Sequence, residues 1–181
     1  MPELPDVQTV VDTLANQIKN DTIVEVKVLY DNIINGSVEE FKKRLVNEVF
    51  LEFHRRGKFL VFKMTSCYLI VHLRMEGKFY ITDQEVFSKH IHIGFKLKSN
   101  RYLSYHDVRK FGRLEIVHHL TDSASLNRLG LEYSDSRLTS SYLKKIFSHK
   151  SVPIKTVLLD QSIITGIGNI YANEILFDAK I

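Results

Sequence analysis

Residues 52–72 read EFHRRGKFLVFKMTSCYLIVH, and this stretch determines the class of fold. Two apolar runs of strand length, FLVF and YLIV, are bounded by short polar or glycine-containing segments. Short runs rich in β-branched and aromatic residues, bounded by turn residues, predict β-strands. The same pattern extends outward, so that seven or more short strands are predicted between residues 48 and 118. Because their connections are short, we expect an antiparallel β-sandwich or barrel.

The segments before this region predict two helices and one more strand. Apolar residues at helical spacing predict a helix over residues 5–19. The segment TIVEVKVLY at residues 22–30 alternates between apolar and polar residues, which predicts a half-buried strand with Val24 and Val26 on its inner face. A Ser-x-x-Glu capping box predicts a short helix over residues 37–46.

The character of the sequence changes after about residue 120. Residues 121–137 are polar and irregular, which indicates a domain boundary. Three short helices are predicted beyond it: one after a Ser/Thr cap, one opened by Pro153, and one after a glycine-rich turn with Asn169 at or near its N-cap. The expected fold is α+β and has three parts: an antiparallel β-sandwich domain flanked by helices over residues 1–125, a linker at 126–137, and part of a helical domain over 138–181.

Composition excludes several classes of protein. The chain has 181 residues, with 25 Lys and Arg against 21 Asp and Glu, and its formal net charge is +4. This mild excess permits a nucleic-acid partner but does not indicate one by itself. No apolar run approaches the ~20 residues of a membrane span, so no membrane partner is expected. The single cysteine, Cys67, excludes a disulfide framework and a multi-cysteine zinc site, and it fits a reducing, cytoplasmic compartment.

The first chemical candidates are Pro2 and Glu3. If Met1 is removed, Pro2 presents a secondary amine, which is a competent nucleophile toward an aldehyde-like carbon and forms an iminium readily. The neighbouring carboxylate of Glu3 is placed to move protons during such a reaction. The alternative is that the segment PELP is only a stiff lead-in to the first helix.

Three turns carry cations or exposed apolar residues. Lys58, after Gly57, can reach a phosphate from a tight turn, and Met75 follows the end of a strand, where it can form an apolar wedge. Arg109 and Phe111 lie in the segment DVRKFGR; arginine can read base edges and phenylalanine can slot between bases. The alternatives are solvated, charged hairpins and, for Met75, a place in the core.

The segment GIGNIY predicts an anion site. Gly166 and Gly168 precede a helix N-terminus, whose free N–H groups and dipole favour a negative charge, and Lys155 could serve the same phosphate. No parallel βαβ unit comes before these glycines, so a dinucleotide site is rejected. His90 and His92 suggest metal ligation, but no carboxylate or cysteine cluster accompanies them, and no metal is expected.

Taken together, these segments resemble one protein family. They occur in the order found in the formamidopyrimidine-DNA glycosylases, and the resemblance covers essentially all of the chain. Several separated motifs in one order make it specific. The segments are PELPDVQTV (2–10), RRGKFL (55–60), HLRMEG (72–77), DVRKFGR (107–113), and PIKTVLLDQ (153–161) followed by ITGIGNIYANEILF (164–177).

The resemblance implies a reaction. The family removes oxidised purines from DNA, chiefly 8-oxoguanine paired with cytosine and formamidopyrimidines, and then nicks the strand by β,δ-elimination. By matching positions, Pro2 would be the nucleophile at the sugar C1′ and would form a Schiff base. Glu3 would be the proton-transfer carboxylate, and Lys58 would contact a phosphate near the lesion.

The resemblance also implies how DNA is held. Met75, Arg109 and Phe111 would fill the gap left by the extruded base, with Arg109 pairing to the orphaned cytosine. Lys155 and Asn169 would hold the phosphates beside the lesion from a helix-two-turn-helix element. The implied partner is double-stranded DNA with oxidised purines or abasic sites, bound by a monomer in the bacterial cytoplasm, associated with the nucleoid.

The sequence departs from the family pattern in three places. Asp6 stands where the family usually has Glu, so a contact from this shorter side chain would need a shift or a water. Gln8 stands where a second Glu is common. The family's later helices, lesion-capping loop and four-cysteine zinc finger have no counterpart in these residues, so no zinc is expected. The chain is therefore expected to be an N-terminal portion, with one wall of the cleft and several phosphate contacts missing.

Two alternative functions remain open at this point. One is a non-catalytic DNA-binding remnant of such an enzyme. The other is an endonuclease VIII-like glycosylase for oxidised pyrimidines, although the single void-filling loop and Leu4 favour the purine-specific branch. If Met75 and Phe111 are wedges, their side chains should be exposed in the free protein.

Overall fold

The computed structural model describes residues 1–181 and contains eight β-strands and six α-helices. No helix is both long and apolar enough to span a membrane. The strands are β1 (Ile23–Val28), β2 (Glu52–Arg56), β3 (Phe59–Lys63), β4 (Tyr68–His72), β5 (Lys78–Thr82), β6 (Ile91–Leu97), β7 (Tyr102–His106) and β8 (Arg113–Val117). The α-helices are α1 (Leu4–Ile18), α2 (Val38–Leu45), α3 (Ala124–Asn127), α4 (Ser140–Ser148), α5 (Ile154–Leu158) and α6 (Asn169–Asp178).

The strands form two antiparallel sheets of four strands each. Their orders are β1-β6-β7-β5 and β2-β3-β4-β8, and every neighbouring pair is antiparallel. The predicted sandwich is therefore confirmed, and with the helices it gives the expected α+β fold.

Aromatic rings join the two sheets at the centre of the core. Phe62 on β3 contacts Phe79 on β5 at a ring-centroid distance of 6.1 Å, and Phe79 contacts Tyr105 on β7 at 5.2 Å. Phe62 and Tyr105 are both completely buried. Helix α1 lies on the same core through a buried apolar stripe made of Val7, Val11, Leu14 and Ile18. Because α1 is anchored in this way, the residues just before it have a fixed position.

The prediction for the inner face of β1 is wrong at Val24. Its side chain is 39% exposed, whereas Ile23 and Val26 are buried. The ladder between β1 and β6 shifts register between Ile23 and Glu25, so that Val24 is an extra residue in the strand. Such a bulge breaks the alternation of faces, and the simple two-residue period no longer holds.

The segment predicted to be irregular contains ordered structure. Ser123 caps α3, and its hydroxyl accepts a hydrogen bond from the N–H of Leu126. Leu126 is buried against Val61, Ile70 and Val117 of the second sheet. The start of the proposed linker is thus packed on the sandwich. The domain boundaries themselves stay a prediction.

A charged junction connects the β2–β3 turn to the chain beyond α3. The carboxylate of Glu132 accepts hydrogen bonds from the N–H of Gly57 at 2.6 Å, from Arg55 at 3.0 Å and from Arg56 at 3.1 Å. Burial alone would raise the pKa of Glu132, but these hydrogen bonds outweigh it and the pKa is lowered. Arg56 also donates to the carbonyl of Gly130 at 2.6 Å. The turn that carries Lys58 is therefore fixed from both sides.

Replacing Gly57 by Ala should weaken this junction. Gly57 has φ +58°, and an added Cβ would overlap the hydroxyl of the buried Thr165. We expect Gly57→Ala to lower the free energy of unfolding by about 1–3 kcal/mol, measured by urea denaturation. Gly94→Ala is the matched control, because no atom lies within 4 Å of its added Cβ. Equal stability of the two variants would contradict this account of the junction.

Candidate active site and nucleic-acid interface

The carboxylate of Glu3 binds the N-terminus of α6. Only 3% of the surface of Glu3 is exposed. It accepts backbone N–H bonds from Gly168 at 2.9 Å, Ile170 at 2.8 Å and Tyr171 at 3.2 Å. These are N–H groups that a helix N-terminus leaves without intrahelical partners, and its dipole favours a negative charge there.

This geometry corrects the predicted phosphate site at the glycine-rich turn. The N–H groups after Gly166 do bind an anion, but the anion is the side chain of Glu3 from the same chain. The N–H of Leu4 also donates to the carbonyl of Gly166 at 3.2 Å. The turn therefore fixes the N-terminal segment, and these N–H groups are not free for an external phosphate.

Asp6 and Gln8, the two substituted positions of the family pattern, both have hydrogen-bond partners. Asp6 accepts a hydrogen bond from the N–H of Glu3 at 2.9 Å, which completes a capping box at the start of α1. This contact is direct, so the expected shift or bridging water is not needed. Gln8 accepts from Arg55 at 3.2 Å and so extends the charged junction with a neutral group.

Pro2 lies at a cleft large enough for a nucleobase. The cleft has a volume of about 590 Å³ and is lined by Pro2, Asp6, Met75 and Tyr80, among other residues. Met1 also lines it. The structure thus brings Pro2 and the predicted wedge Met75 to one cleft. Glu3 follows Pro2 in the chain, but its carboxylate is directed to the N-terminus of α6 and does not line the cleft.

Lys58 is buried close enough to Glu3 for their charges to interact. Only 4% of the residue is exposed, and its ammonium makes no hydrogen bond within the chain. Burial lowers the pKa of Lys58, and the negative charge of Glu3 partly opposes this effect. The solvated-hairpin alternative is therefore excluded for this residue. An unpaired, buried cation near Glu3 is suited to an anionic ligand.

His72 belongs to the same cluster, and sequence reasoning did not single it out. It is 8% exposed and lies opposite Phe59 in the β3–β4 ladder, next to the Lys58 turn. Burial lowers its pKa to about 3, and the charges of Arg74 and Lys58 add to this effect. Its Nδ1 accepts from the N–H of Arg74 at 3.0 Å, so the neutral ring carries its proton on Nε2. His72 is thus an uncharged donor among cations.

The residues predicted to enter the duplex are exposed. Met75 is 39% exposed and Phe111 is 49% exposed, as expected for wedges. The guanidinium of Arg109 lies 4.8 Å from the centre of the Phe111 ring, in cation–π geometry. Their insertion into DNA stays a prediction.

Lys155 and Asn169 are available to a ligand. Lys155 lies on α5, and Asn169 is the exposed first residue of α6, after the N-cap residue Gly168. Neither side chain makes a hydrogen bond or an ion pair within the chain. The phosphate contacts of both residues stay predictions.

His90 and His92, which suggested metal ligation, have other partners in the structure. The His90 ring packs against His106 at 5.5 Å, and His92 donates to the carbonyl of Asp107 at 2.6 Å. The structure contains no group of three or more His, Cys, Asp or Glu side chains that could hold a metal ion. Cys67 is buried and alone, so the residues present do not fit the family's four-cysteine zinc site.

Comparison with protein families identifies two matching domains. The model of the formamidopyrimidine-DNA glycosylase N-terminal domain matches residues 1–114, and that of the glycosylase H2TH domain matches residues 129–181. The formamidopyrimidine-DNA glycosylase of Lactiplantibacillus plantarum is 42% identical over 100% of this chain and 68% of its own length. The enzyme of Bacillus subtilis is 39% identical over 100% of this chain and 67% of its own. The chain thus spans about two thirds of the length of these relatives.

Solved structures show the same fold. The chain is similar to Lactococcus lactis Fpg in complex with DNA containing an abasic site, with a TM-score of 0.91 and 33% identity, over 99% of this chain and 68% of that one. It is also similar to the same protein in complex with DNA containing FAPY-dG, with a TM-score of 0.91 and 34% identity, over 99% and 69% of the two chains.

The buried state of His72 predicts how stability depends on pH. Folding lowers the pKa of His72 from 6.5 to about 3. Between these pH values His72 binds a proton in the unfolded chain but not in the folded chain. The titration of His72 therefore leaves the free energy of unfolding unchanged above about pH 6.5 and lowers it progressively below that pH. Between about pH 6.5 and about pH 4, the wild-type chain should lose up to about 3 kcal/mol more than His72→Gln.

The measurement is urea denaturation at a series of pH values. His149→Gln is the control, because His149 is exposed on the surface, and its profile should match that of the wild-type chain. A His72→Gln profile parallel to the wild-type one would show that His72 accepts a proton in the folded state.

Proposed function

This chain belongs to the formamidopyrimidine-DNA glycosylase family, and we propose that it acts in base-excision repair as a bifunctional DNA glycosylase and AP lyase. Its substrate is double-stranded DNA that contains oxidised purines, 8-oxoguanine and formamidopyrimidines, or abasic sites. The observation that carries this proposal is the Glu3 carboxylate, fixed by three N–H bonds beside Pro2. The Lactococcus lactis relative bound to abasic-site and FAPY-dG DNA supports the same substrate class.

The reaction begins at Pro2. After removal of Met1, the nitrogen lone pair of Pro2 attacks the sugar C1′, and the glycosidic bond breaks with its electron pair and a proton going to the departing base. Opening of the sugar ring, with a proton delivered to its oxygen, converts the adduct to an iminium. Loss of a C2′ proton then expels the 3′-phosphate, and a second elimination expels the 5′-phosphate. While Met1 is present the Pro2 nitrogen is an amide and cannot attack.

The hydrogen bonds of Glu3 support proton transfer through one of its two oxygens. A carboxylate has about four acceptor sites, two on each oxygen. The Oε2 atom uses two of them, for Gly168 and Tyr171, whereas Oε1 uses one, for Ile170. Oε1 therefore has the fewer bonds to α6, which supports it as the oxygen that carries a proton to and from the sugar. Lys58 supplies a positive charge for a nearby phosphate, and His72 supplies a neutral donor.

DNA must be bent and opened to deliver the lesion to Pro2. Extruding a base costs stacking and pairing energy, which side chains offset by filling the gap. We assign this role to Met75, Arg109 and Phe111, with Arg109 on the orphaned cytosine. Lys155 and Asn169 hold phosphates from the helix-two-turn-helix element. The proposal includes a monomer that acts on DNA in the bacterial cytoplasm.

Borohydride trapping tests the proposal. The chain with Met1 removed should form a covalent adduct with an 8-oxoguanine:C duplex in the presence of reductant, detected by intact mass. Glu3→Gln should lower the yield at least about 100-fold, because proton transfer by a side chain contributes roughly 10²–10⁴-fold. Glu174→Gln, on the exposed side of α6, is the matched control and should trap normally.

The other outcomes separate the rival functions. DNA binding without any adduct would replace the proposal by a non-catalytic DNA-binding protein. An adduct with thymine glycol but not with 8-oxoguanine would assign the chain to the endonuclease VIII-like enzymes. Normal trapping by Glu3→Gln would remove Glu3 from the mechanism.

The phosphate contact of Lys155 can be measured through salt. Each phosphate neutralised contributes about −0.9 to the slope of log K against log[salt] on duplex DNA. Lys155→Ala should therefore weaken binding of an abasic-analogue duplex and make this slope shallower by about 1. Lys19→Ala, at the exposed end of α1, is the control. An unchanged slope in Lys155→Ala would show that Lys155 does not neutralise a phosphate.

A further inference from the structure

The loop from Asp107 to Gly112 is held by the side chain of its own first residue. Asp107 is completely buried. Its Oδ1 accepts from the N–H of Arg109 at 3.0 Å, and its Oδ2 accepts from the N–H of Gly112 at 2.8 Å. One buried carboxylate thus closes the loop that carries Arg109 and Phe111.

The backbone of Asp107 attaches this loop to the neighbouring strand. Its N–H donates to the carbonyl of His90 at 2.9 Å, and its carbonyl accepts from His92 on β6 at 2.6 Å. Every hydrogen-bonding group of Asp107 therefore has a partner. Its position is determined by the sandwich, and the loop position follows from it.

The carbonyl groups of the loop are held from the other side. One nitrogen of Arg113 donates to the carbonyls of Lys110 at 3.3 Å, Phe111 at 3.3 Å and Gly112 at 2.7 Å. Lys110 adopts φ +57°, a region that lysine rarely occupies, and its ammonium lies 4.6 Å from the centre of the Tyr30 ring. The loop thus has a defined conformation in the free protein.

A buried tyrosine relates this loop to the one that carries Met75. The hydroxyl of Tyr105 is buried without a hydrogen-bond partner. A Cβ added at Gly77 or at Gly112 would overlap this hydroxyl, so both loops pass directly against it. The Asp107 loop and the Met75 loop are therefore placed from one common point of the core.

We propose that Asp107 is a positioning residue for recognition of the base opposite the lesion. It fixes the loop before DNA binds, so that Arg109 and Phe111 enter the duplex already oriented. Ordering each flexible loop residue on binding would otherwise cost roughly a factor of ten in affinity. This inference rests on the proposed function, which assigns the orphaned cytosine to Arg109.

The test is Asp107→Asn in the full chain. Asparagine offers one acceptor oxygen in place of two, so one of the two loop N–H groups loses its partner. The probes are duplexes with a tetrahydrofuran abasic analogue opposite dC or opposite dA. The preference for dC over dA, taken as the ratio of the two dissociation constants, should fall by about tenfold.

Asp122→Asn is the matched control. Asp122 also accepts a backbone N–H bond, from His119 at 3.0 Å, but at an exposed turn away from the loop. The substitution Asp122→Asn removes the same charge as Asp107→Asn, and the preference for dC over dA should stay at the wild-type value. A loss of preference in this control equal to that of Asp107→Asn would overturn the inference, because net charge would then explain the effect.

Arg109→Ala separates the failure of the inference from that of the proposed function. An unchanged dC preference in Arg109→Ala would overturn the role of Arg109 and, with it, this inference. A lowered preference in Arg109→Ala but not in folded Asp107→Asn would overturn the inference alone. The double variant should behave like Arg109→Ala, because Asp107 acts through Arg109; additive losses would contradict this.

Amide exchange in the free wild-type chain keeps the inference testable if Asp107→Asn does not fold. The N–H groups of Arg109 and Gly112 should exchange at least about tenfold more slowly than that of Phe111, which has no backbone or side-chain acceptor. Equal exchange at the three positions would show that the loop is not fixed before DNA binds, and would overturn the inference.

Discussion

The contact between the Glu3 carboxylate and the N-terminus of α6 is the interaction on which the site depends. It joins the third residue of the chain to residues 168–171. The carboxylate oxygens gain hydrogen-bond donors, and the N–H groups of the helix gain acceptors. A buried carboxylate without partners would cost free energy, and the N–H groups at a helix N-terminus also need partners. In this contact the carboxylate and the N–H groups of the helix satisfy each other's hydrogen bonds. As a result the N-terminal segment has one position relative to α6.

The rest of the site is arranged around this contact. The turn that carries Lys58 is fixed by Glu132 and two arginines. His72, on the adjoining strand, lies opposite Phe59, the residue that follows Lys58. Burial disfavours a charge on both side chains. The negative charge of Glu3 favours the charged form of Lys58, whereas the positive charges of Arg74 and Lys58 further disfavour the charged form of His72. Two basic side chains in one cluster thus differ in charge because of what surrounds them.

Local features of this molecule were predictable from sequence, and long-range ones were not. The strands of the sandwich follow from apolar runs between turn residues, and the start of α2 follows from the side chain of Ser37. The exposure of Val24 depends on how β1 meets β6, which no local pattern records. The sequence indicated an anion at the glycine-rich turn, but Glu3 and Gly168 are 165 positions apart, and nothing near either residue connects them. The burial of His72 likewise depends on packing between strands. The roles of the site residues toward DNA remain predictions.

The separation of 165 positions also has a consequence for the timing of synthesis. A ribosome makes roughly 5–20 residues per second, and N-terminal parts fold first. The sandwich can therefore be complete while α6 has not yet emerged, and for those seconds Glu3 has no helix to bind. The segment that carries Glu3 is made early, but its contact with α6 forms only after residues 168–171 have been made. A nascent chain is thus able to fold its core well before the contact between Glu3 and α6 can form.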